Sequence, residues 1–239
     1  MLKACLNGPR LPHEHWKLPV TLDQLAQSAR ESVAAGAEAL HVHAKDRRGH
    51  DTLAPDVVDA TVAALREAVP DVPIGLTTGA WTSDDPLDRE QQVAQWSVLP
   101  DFVSVNWHEV RSVPLAEQLL ERGVGIEPGL WTPKAVAQWQ DWPHRDQCVR
   151  VLLEIVADLP AAAALAAAQG LIDAIGDDPG VPVLLHGEER AAWPVLELAI
   201  QRGYDVRIGL EDTLEMPDGT RAFDNAALVR TVKDMLAAS

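Results

Sequence analysis

The sequence predicts an α/β fold closed as a single TIM (β/α)8 barrel over residues 1–239, and three observations carry that prediction. Short apolar runs alternate with longer helical patterns eight times along the 239 residues. The runs are almost continuously apolar, as parallel strands covered on both faces should be. Polar residues recur at the end of nearly every run, and in a barrel those ends share the one face where active sites are built. An open doubly wound sheet is the competing architecture. Against it, no G-x-G-x-x-G follows any predicted strand.

The elements follow in order. LKACLN (2–7) reads as the first strand. Thr21 opens a helix, with Gln24 three residues on as its capping-box partner. Leu22, Leu25, Ala26, Ala29 and Val33 fall on one face of that helix, and Gly36 stops it. ALHVH (39–43) is the second strand, and Pro55 suits the first turn of a helix carrying Val58, Val62 and Leu65. PIGLTTG (73–79) is the third strand, followed by a helix over 87–98. FVSVN (102–106) is the fourth, with a helix near 113–122, and VGIE (124–127) the fifth, with a helix from Thr132. CVRVLLEI (148–155) is the sixth, and the Ala-rich stretch 160–174 is a strong helix former. VPVLLHG (181–187), a helix over 190–202, DVRIGLED (205–212) and a helix over 223–237 complete the chain.

Composition narrows the function classes. With 47% hydrophobic and 23% charged residues the balance is that of a globular protein. No apolar run reaches the ~18–20 residues of a membrane span. The start, MLKACLNGPR, has no basic region followed by an apolar stretch, so no signal peptide is expected. A net charge of −16, spread over many short segments, argues against nucleic acid or an anionic membrane as a partner. Cys5 and Cys148 sit in apolar runs and read as buried thiols of a reducing cytoplasm.

The strand ends read Asn7, His41 and His43, Thr77 and Thr78, Ser104 and Asn106, Glu127, Glu154, His186, then Arg207, Glu211 and Asp212. Packing alone does not call for such a series, because an unpaired buried polar group costs about 1–3 kcal/mol. On a strand, i and i+2 project to the same side, so His41 and His43 reach one point. Taken alone they read as histidines bonded to loops. Glu211 alters the balance, since strands eight and two both flank strand one in a closed barrel. His41, His43 and Glu211 together make a three-ligand site with an open position. That set favours Zn²⁺, with Mn²⁺, Fe²⁺, Co²⁺ and Ni²⁺ not excluded.

Arg207 and Asp212 bracket Glu211, either as a rim ion pair or as a pair in which Arg orients an anion and Asp moves a proton. His13-Glu14-His15 reads as a surface loop or lid, and His186 as pocket wall or packing. Trp81, Trp107 and Trp131 follow the ends of strands three to five and should line or cover the mouth. Trp96, Trp139 and Trp193 fall on helices and should be buried there.

The strings ACLNG, HVHAKD, TTG, SVN, GIEPGLW and RIGLEDT, in this order, resemble the β-keto acid cleavage enzymes. The best-known members cleave 3-keto-5-aminohexanoate in lysine fermentation. The resemblance implies a TIM barrel holding Zn²⁺, which converts a β-keto acid and acetyl-CoA into acetoacetate and a new acyl-CoA. By motif it makes His41, His43 and Glu211 the metal ligands and Arg207 and Asp212 the activating pair. Thr77, Ser104 and Glu127 match substrate-pocket positions, and Asn106, ending the same strand as Ser104, is read as substrate-binding with them. A homo-oligomer, dimer or tetramer, is implied as well.

Three departures stand out. Lys45 stands where Arg is common, and Thr213 where Asn is common. Arg10 stands where the aminohexanoate enzymes carry an acid for the substrate amine. An Arg10 facing the pocket would favour a neutral or acidic β-keto acid; the alternative is that it turns outward and pairs with Glu14. Other functions open to the same residues are a metal-dependent hydrolase or aldolase, which would need no CoA, and a metal or ligand sensor.

Overall fold

Residues 1–238 are described by a computed structural model. Its eight strands are β1 (Leu2–Cys5), β2 (Ala39–Val42), β3 (Ile74–Thr77), β4 (Phe102–Asn106), β5 (Gly125–Leu130), β6 (Val151–Ile155), β7 (Val183–Gly187) and β8 (Val206–Ile208). All pair in parallel, in the order β7-β6-β5-β4-β3-β2-β1-β8. A parallel bridge between Leu184 and Asp205 joins β7 to the segment entering β8 and closes the barrel. Around it lie α1 (Leu22–Ala34), α2 (Pro55–Ala68), α3 (Pro86–Ala94), α4 (Ser112–Glu121), α5 (Pro133–Gln140), α6 (Ala161–Ile175), α7 (Ala192–Arg202) and α8 (Asn225–Ala238). The expected TIM barrel is therefore present, with every expected strand and helix in place. Among the described residues no helix is long and apolar enough to cross a membrane.

The two-residue period of the strands sorts the side chains. Leu40 and Val42, Val103 and Val105, and Leu153 and Ile155 belong to the apolar layer between strands and helices. Their alternates, among them His41, Ser104 and Glu154, point the other way, into the barrel. This is how a sheet apolar on its helix side carries a polar interior and mouth. The capping box at α1 also forms: Gln24 N donates to Thr21 Oγ1 (3.3 Å) and Thr21 N to Gln24 Oε1 (3.1 Å).

Most strand boundaries shift from those expected, and at three strands a local reason is plain. β5 runs on through Pro128 and Gly129, residues that normally end or weaken a strand. β6 starts only at Val151, because Arg145–Gln147 form a short 3-10 turn. β8 stops at Ile208, because the chain turns at Gly209, where a Cβ would lie 1.8 Å from Cys5 O. Asp212 N then donates back to Gly209 O (2.9 Å). Glu211 and Asp212 thus sit in a tight turn rather than on the strand.

Glu127 is a correction. It was expected at the substrate pocket, but its carboxylate is wholly buried inside the barrel, with Oε2 2.5 Å from Lys3 Nζ. Arg150 Nη1 stands 3.4 Å from its other oxygen. Lys3 is equally buried, and a lysine there requires a carboxylate partner. The strand-five acid therefore neutralises the barrel floor. Glu127→Ala should strand the Lys3 charge and lower stability by about 3 kcal/mol or more, read as a reduced urea midpoint.

Candidate metal and substrate site

The barrel mouth holds a cavity of about 210 Å³, walled by His41, His43, Thr77, Ser104, Asn106 and Arg207, with Glu211 at its edge. His41 Nε2 and His43 Nε2 lie 3.9 and 3.8 Å from Glu211 Oε1, too far for hydrogen bonds. One ligand atom from each of the three residues falls within a 4.8 Å group.

The surroundings prepare these atoms for a cation. Burial holds the His41 imidazole well below its ordinary pKa, with the His43, Lys3 and Arg207 charges adding to the effect. Its ring is therefore neutral. His43 Nδ1 is 2.7 Å from Asp51 Oδ2, which leaves Nε2 as the lone pair facing Glu211. Burial would raise the Asp51 carboxyl, but His43 and Lys45 outweigh it and bring it down to about 2. Glu211 Oε2 is buried without a hydrogen-bond partner. Two imidazoles, a carboxylate with a free oxygen and an acid behind one histidine fit a Zn-like divalent ion.

Lys45 fixes the loop behind them. Its ammonium donates to Gly8 O (2.6 Å), Arg10 O (2.9 Å) and Asp51 Oδ1 (2.6 Å). Three acceptors suit the three donors of a lysine, so the departure from Arg is accommodated. Gly8 has φ +55°, and a Cβ there would come within 2.4 Å of Glu211 Cγ. The loop after β1 thus packs directly on the Glu211 side chain.

Arg207 Nε and Nη2 donate to Asp212 Oδ1 (3.0 and 2.6 Å), and Nη2 also donates to Glu211 Oε1 (2.9 Å). Arg207 reaches the cavity, while Asp212 lies fully buried behind it with Oδ2 unpartnered. Burial pushes the Asp212 carboxyl above its ordinary value against the lowering pull of Arg207. A carboxylate of raised basicity held by a guanidinium is suited to taking a proton.

Thr77, Ser104 and Asn106 line the cavity as expected. Gly79 N donates to Thr77 Oγ1 (3.2 Å), and Asn106 Nδ2 donates to Glu109 Oε1 (2.9 Å). Glu109 is itself paired with buried Arg89, tying the loops after β3 and β4 together.

Arg10 is the second correction. Its guanidinium donates to Leu210 O (2.5 Å), Glu189 Oε1 (2.5 Å) and Glu14 Oε2 (3.3 Å). The neighbouring Pro9 lines the cavity instead. Two carboxylates neutralise the charge outside the pocket, so the expected preference for acidic substrates loses its basis. His15 is buried with Nε2 2.8 Å from Ala222 O, which packs the 13–15 loop rather than making it a ligand cluster.

Trp81 and Trp131 line the mouth, but Trp107 is buried edge-on against Trp142 (4.9 Å). Trp96 and Trp139 are fully buried, and Trp193 is partly buried on α7. The Trp81 ring stacks on His43 (5.9 Å between centroids), and its Nε1 donates to Asp51 Oδ2 (2.7 Å).

Sequence reasoning missed three features. Asp51 lies ten residues after His41 and joins the site only because the Lys45–Asp51 bridge folds the loop back. Glu154 and His186 each appear among the strand ends, but their 2.7 Å contact comes from the register of β6 on β7. Glu188, just beyond β7, lines the cavity with its carboxylate 3.9 Å from Arg207 Nη2. Burial pushes its carboxyl up to about 8, despite the opposing charge of Arg207.

That shift has a definite sign. Between the ordinary carboxyl value and about 8, the unfolded chain has lost the Glu188 proton while the folded one keeps it. Stability is therefore lost as pH rises through this window. Glu188→Gln in metal-free protein should raise Tm above wild type at about pH 8.5, and the gain should vanish near pH 4.

The sequence profile of the beta-keto acid cleavage enzymes matches residues 1–239. The chain belongs to that family. Among curated relatives it is 25% identical over 250 residues to the 3-keto-5-aminohexanoate cleavage enzyme of Fusobacterium nucleatum, covering 97% of this chain and 89% of the relative. It is 22% identical over 256 residues to the enzyme of the same name from Acetoanaerobium sticklandii, with the same coverage. Among solved structures, ObcA bound to oxaloacetate superposes with a TM-score of 0.72 at 16% identity, over 93% of this chain and 64% of ObcA. A ternary complex of ObcA with a C4-CoA adduct and oxalate gives 0.70 over the same shares. The chain thus spans under two thirds of ObcA. A type I 3-dehydroquinate dehydratase from Clostridium difficile gives 0.66 at 9% identity, over 99% of this chain and 90% of that one. At such identities these structures bear on the fold alone. Family membership makes the chain one of a β-keto acid-cleaving group of enzymes, consistent with the mouth it carries.

Proposed function

We propose that the protein exchanges acyl groups between a β-keto acid and acetyl-CoA, giving acetoacetate and a new acyl-CoA. The observation that carries this reading is the Arg207–Asp212 pair set against His41, His43 and Glu211 at one cavity. A divalent ion on those three residues, Zn²⁺ by their chemistry, would polarise the substrate ketone and stabilise enolate charge.

The chain's own residues account for the remaining steps. Asp212, held by Arg207, takes the proton from the carbon between the substrate's carboxylate and ketone. That carbon attacks the acetyl thioester, and CoA leaves as the thiolate. The thiolate adds to the original ketone, the old carbon–carbon bond breaks, the released carbanion takes the proton back from Asp212, and acetoacetate leaves beside the new acyl-CoA. Two moderate steps replace one difficult cleavage. Arg207 offers its charge to the substrate carboxylate while orienting Asp212. Thr77 and Ser104 present hydroxyls to the bound acid, and Trp81 and Trp131 keep water from the thioester.

The CoA co-substrate is supported by the family, since the chain carries no P-loop or other local CoA fingerprint. A homo-oligomer in the cytoplasm belongs to the same reading. Two buried free thiols suit a reducing compartment, and exposed Trp16 and Phe223 offer an apolar surface for a second copy. The test is turnover of zinc-loaded protein with acetyl-CoA and a panel of β-keto acids, reading acetoacetate. A hydrolase or aldolase would instead consume the keto acid without acetyl-CoA.

A further inference from the structure

Across the mouth from the metal-site histidines stands an acceptor that the proposed chemistry does not use. In the closed pairing order β6 is four strands from β2 in either direction, so Glu154 faces the cavity from the side opposite His41 and His43. Glu154 is buried. Its Oε2 is 2.7 Å from His186 Nε2, while Oε1 has no hydrogen-bond partner. The indole N–H of Trp131 stands beside Glu154 and helps to lower its carboxyl, although neither that nitrogen nor Oε1 completes a hydrogen bond.

Gly129 on β5 makes the room. A Cβ there would lie 2.3 Å from Glu154 Oε1 and 2.7 Å from Asn106 Oδ1, so both oxygens converge on one small space. The Asn106 amide is oriented by its donation to Glu109, which leaves Oδ1 as an acceptor. Glu154 Oε1 is buried and unmatched, and with the Asn106 oxygen across the same space it offers two acceptors to a donor entering the cavity.

We propose that Glu154 and Asn106, with His186 locking Glu154 in place, recognise the tail of a β-keto acid that carries a hydrogen-bond donor, a hydroxyl or an ammonium. This rests on the function proposed for the site and specifies its substrate class. Burial alone would raise the Glu154 carboxyl, but the bond and charge of His186 and the charge of Arg207 hold it below its ordinary value. An ionised acceptor gains more from a donor than a neutral one does. A methyl group in the same place would leave both oxygens unpaired.

The test is calorimetric binding, without acetyl-CoA, of three β-keto acids of equal length ending in methyl, hydroxyl or ammonium. Zinc-loaded protein should bind at least one donor-ended acid roughly tenfold or more tighter than the methyl-ended one, the scale of a hydrogen bond to a charged group. Which donor binds tighter separates hydroxyl from ammonium recognition. Glu154→Gln keeps the shape and loses the charge, and Gly129→Ala fills the space at Oε1; each should erase most of that preference. Equal or tighter binding of the methyl-ended acid, no binding of either donor-ended acid, or a preference unmoved by both substitutions overturns the proposal. Absence of acetoacetate in the separate turnover assay would sink the exchange reaction and leave this ranking standing.

Discussion

Asp212→Asn should lower kcat by about 10²–10⁴-fold, the range for a lost acid–base group, while the protein keeps its metal. The substitution leaves His41, His43 and Glu211 in place and preserves an oxygen near Arg207. It removes the carboxylate charge, and with it the basicity that burial raises. Steady-state kinetics and metal content on the same preparation check both halves. If Arg207 and Asp212 form only a structural ion pair, the variant will melt earlier and turn over at the wild-type rate.

His41→Ala combined with Glu211→Ala should abolish both metal binding and turnover while the barrel still folds. The ligands sit at the mouth, and the apolar layer between strands and helices contains neither residue. Wild-type protein should carry about one divalent ion per chain, most of it zinc, by elemental analysis. The double variant should carry almost none, with an unchanged far-UV circular dichroism spectrum. Full metal occupancy in the double variant would remove these residues from the site.

The fold was legible because the strands announce themselves twice. Apolar residues such as Val103 and Val105 mark the helix-facing phase, and Ser104 and Asn106, one position out of step, mark the interior. The same period places His41 and His43 together. Long-range partners were not legible. Arg10 looks like a pocket cation from its place after β1, but Glu189, which neutralises it, is 179 residues away. Glu127 has the same phase as the pocket residues, and only the buried Lys3 opposite it reveals that it serves the barrel interior. Glu154 and His186 could be named as strand ends, yet their bond depends on a β6–β7 register that no local pattern encodes. Pro128 and Gly129 misled the reading of β5, since their usual role as strand breakers is overridden by pairing on both sides.

The central claim is an acyl exchange at the metal-site mouth, and isotope placement tests it most directly. Zinc-loaded protein is given acetyl-CoA labelled in its acetyl group and an unlabelled β-keto acid longer than acetoacetate. The account predicts that the label appears in acetoacetate, at the ketone and methyl carbons, matched mole for mole by an unlabelled new acyl-CoA. Labelled free acetate, or cleavage of the keto acid with acetyl-CoA left intact, would contradict it.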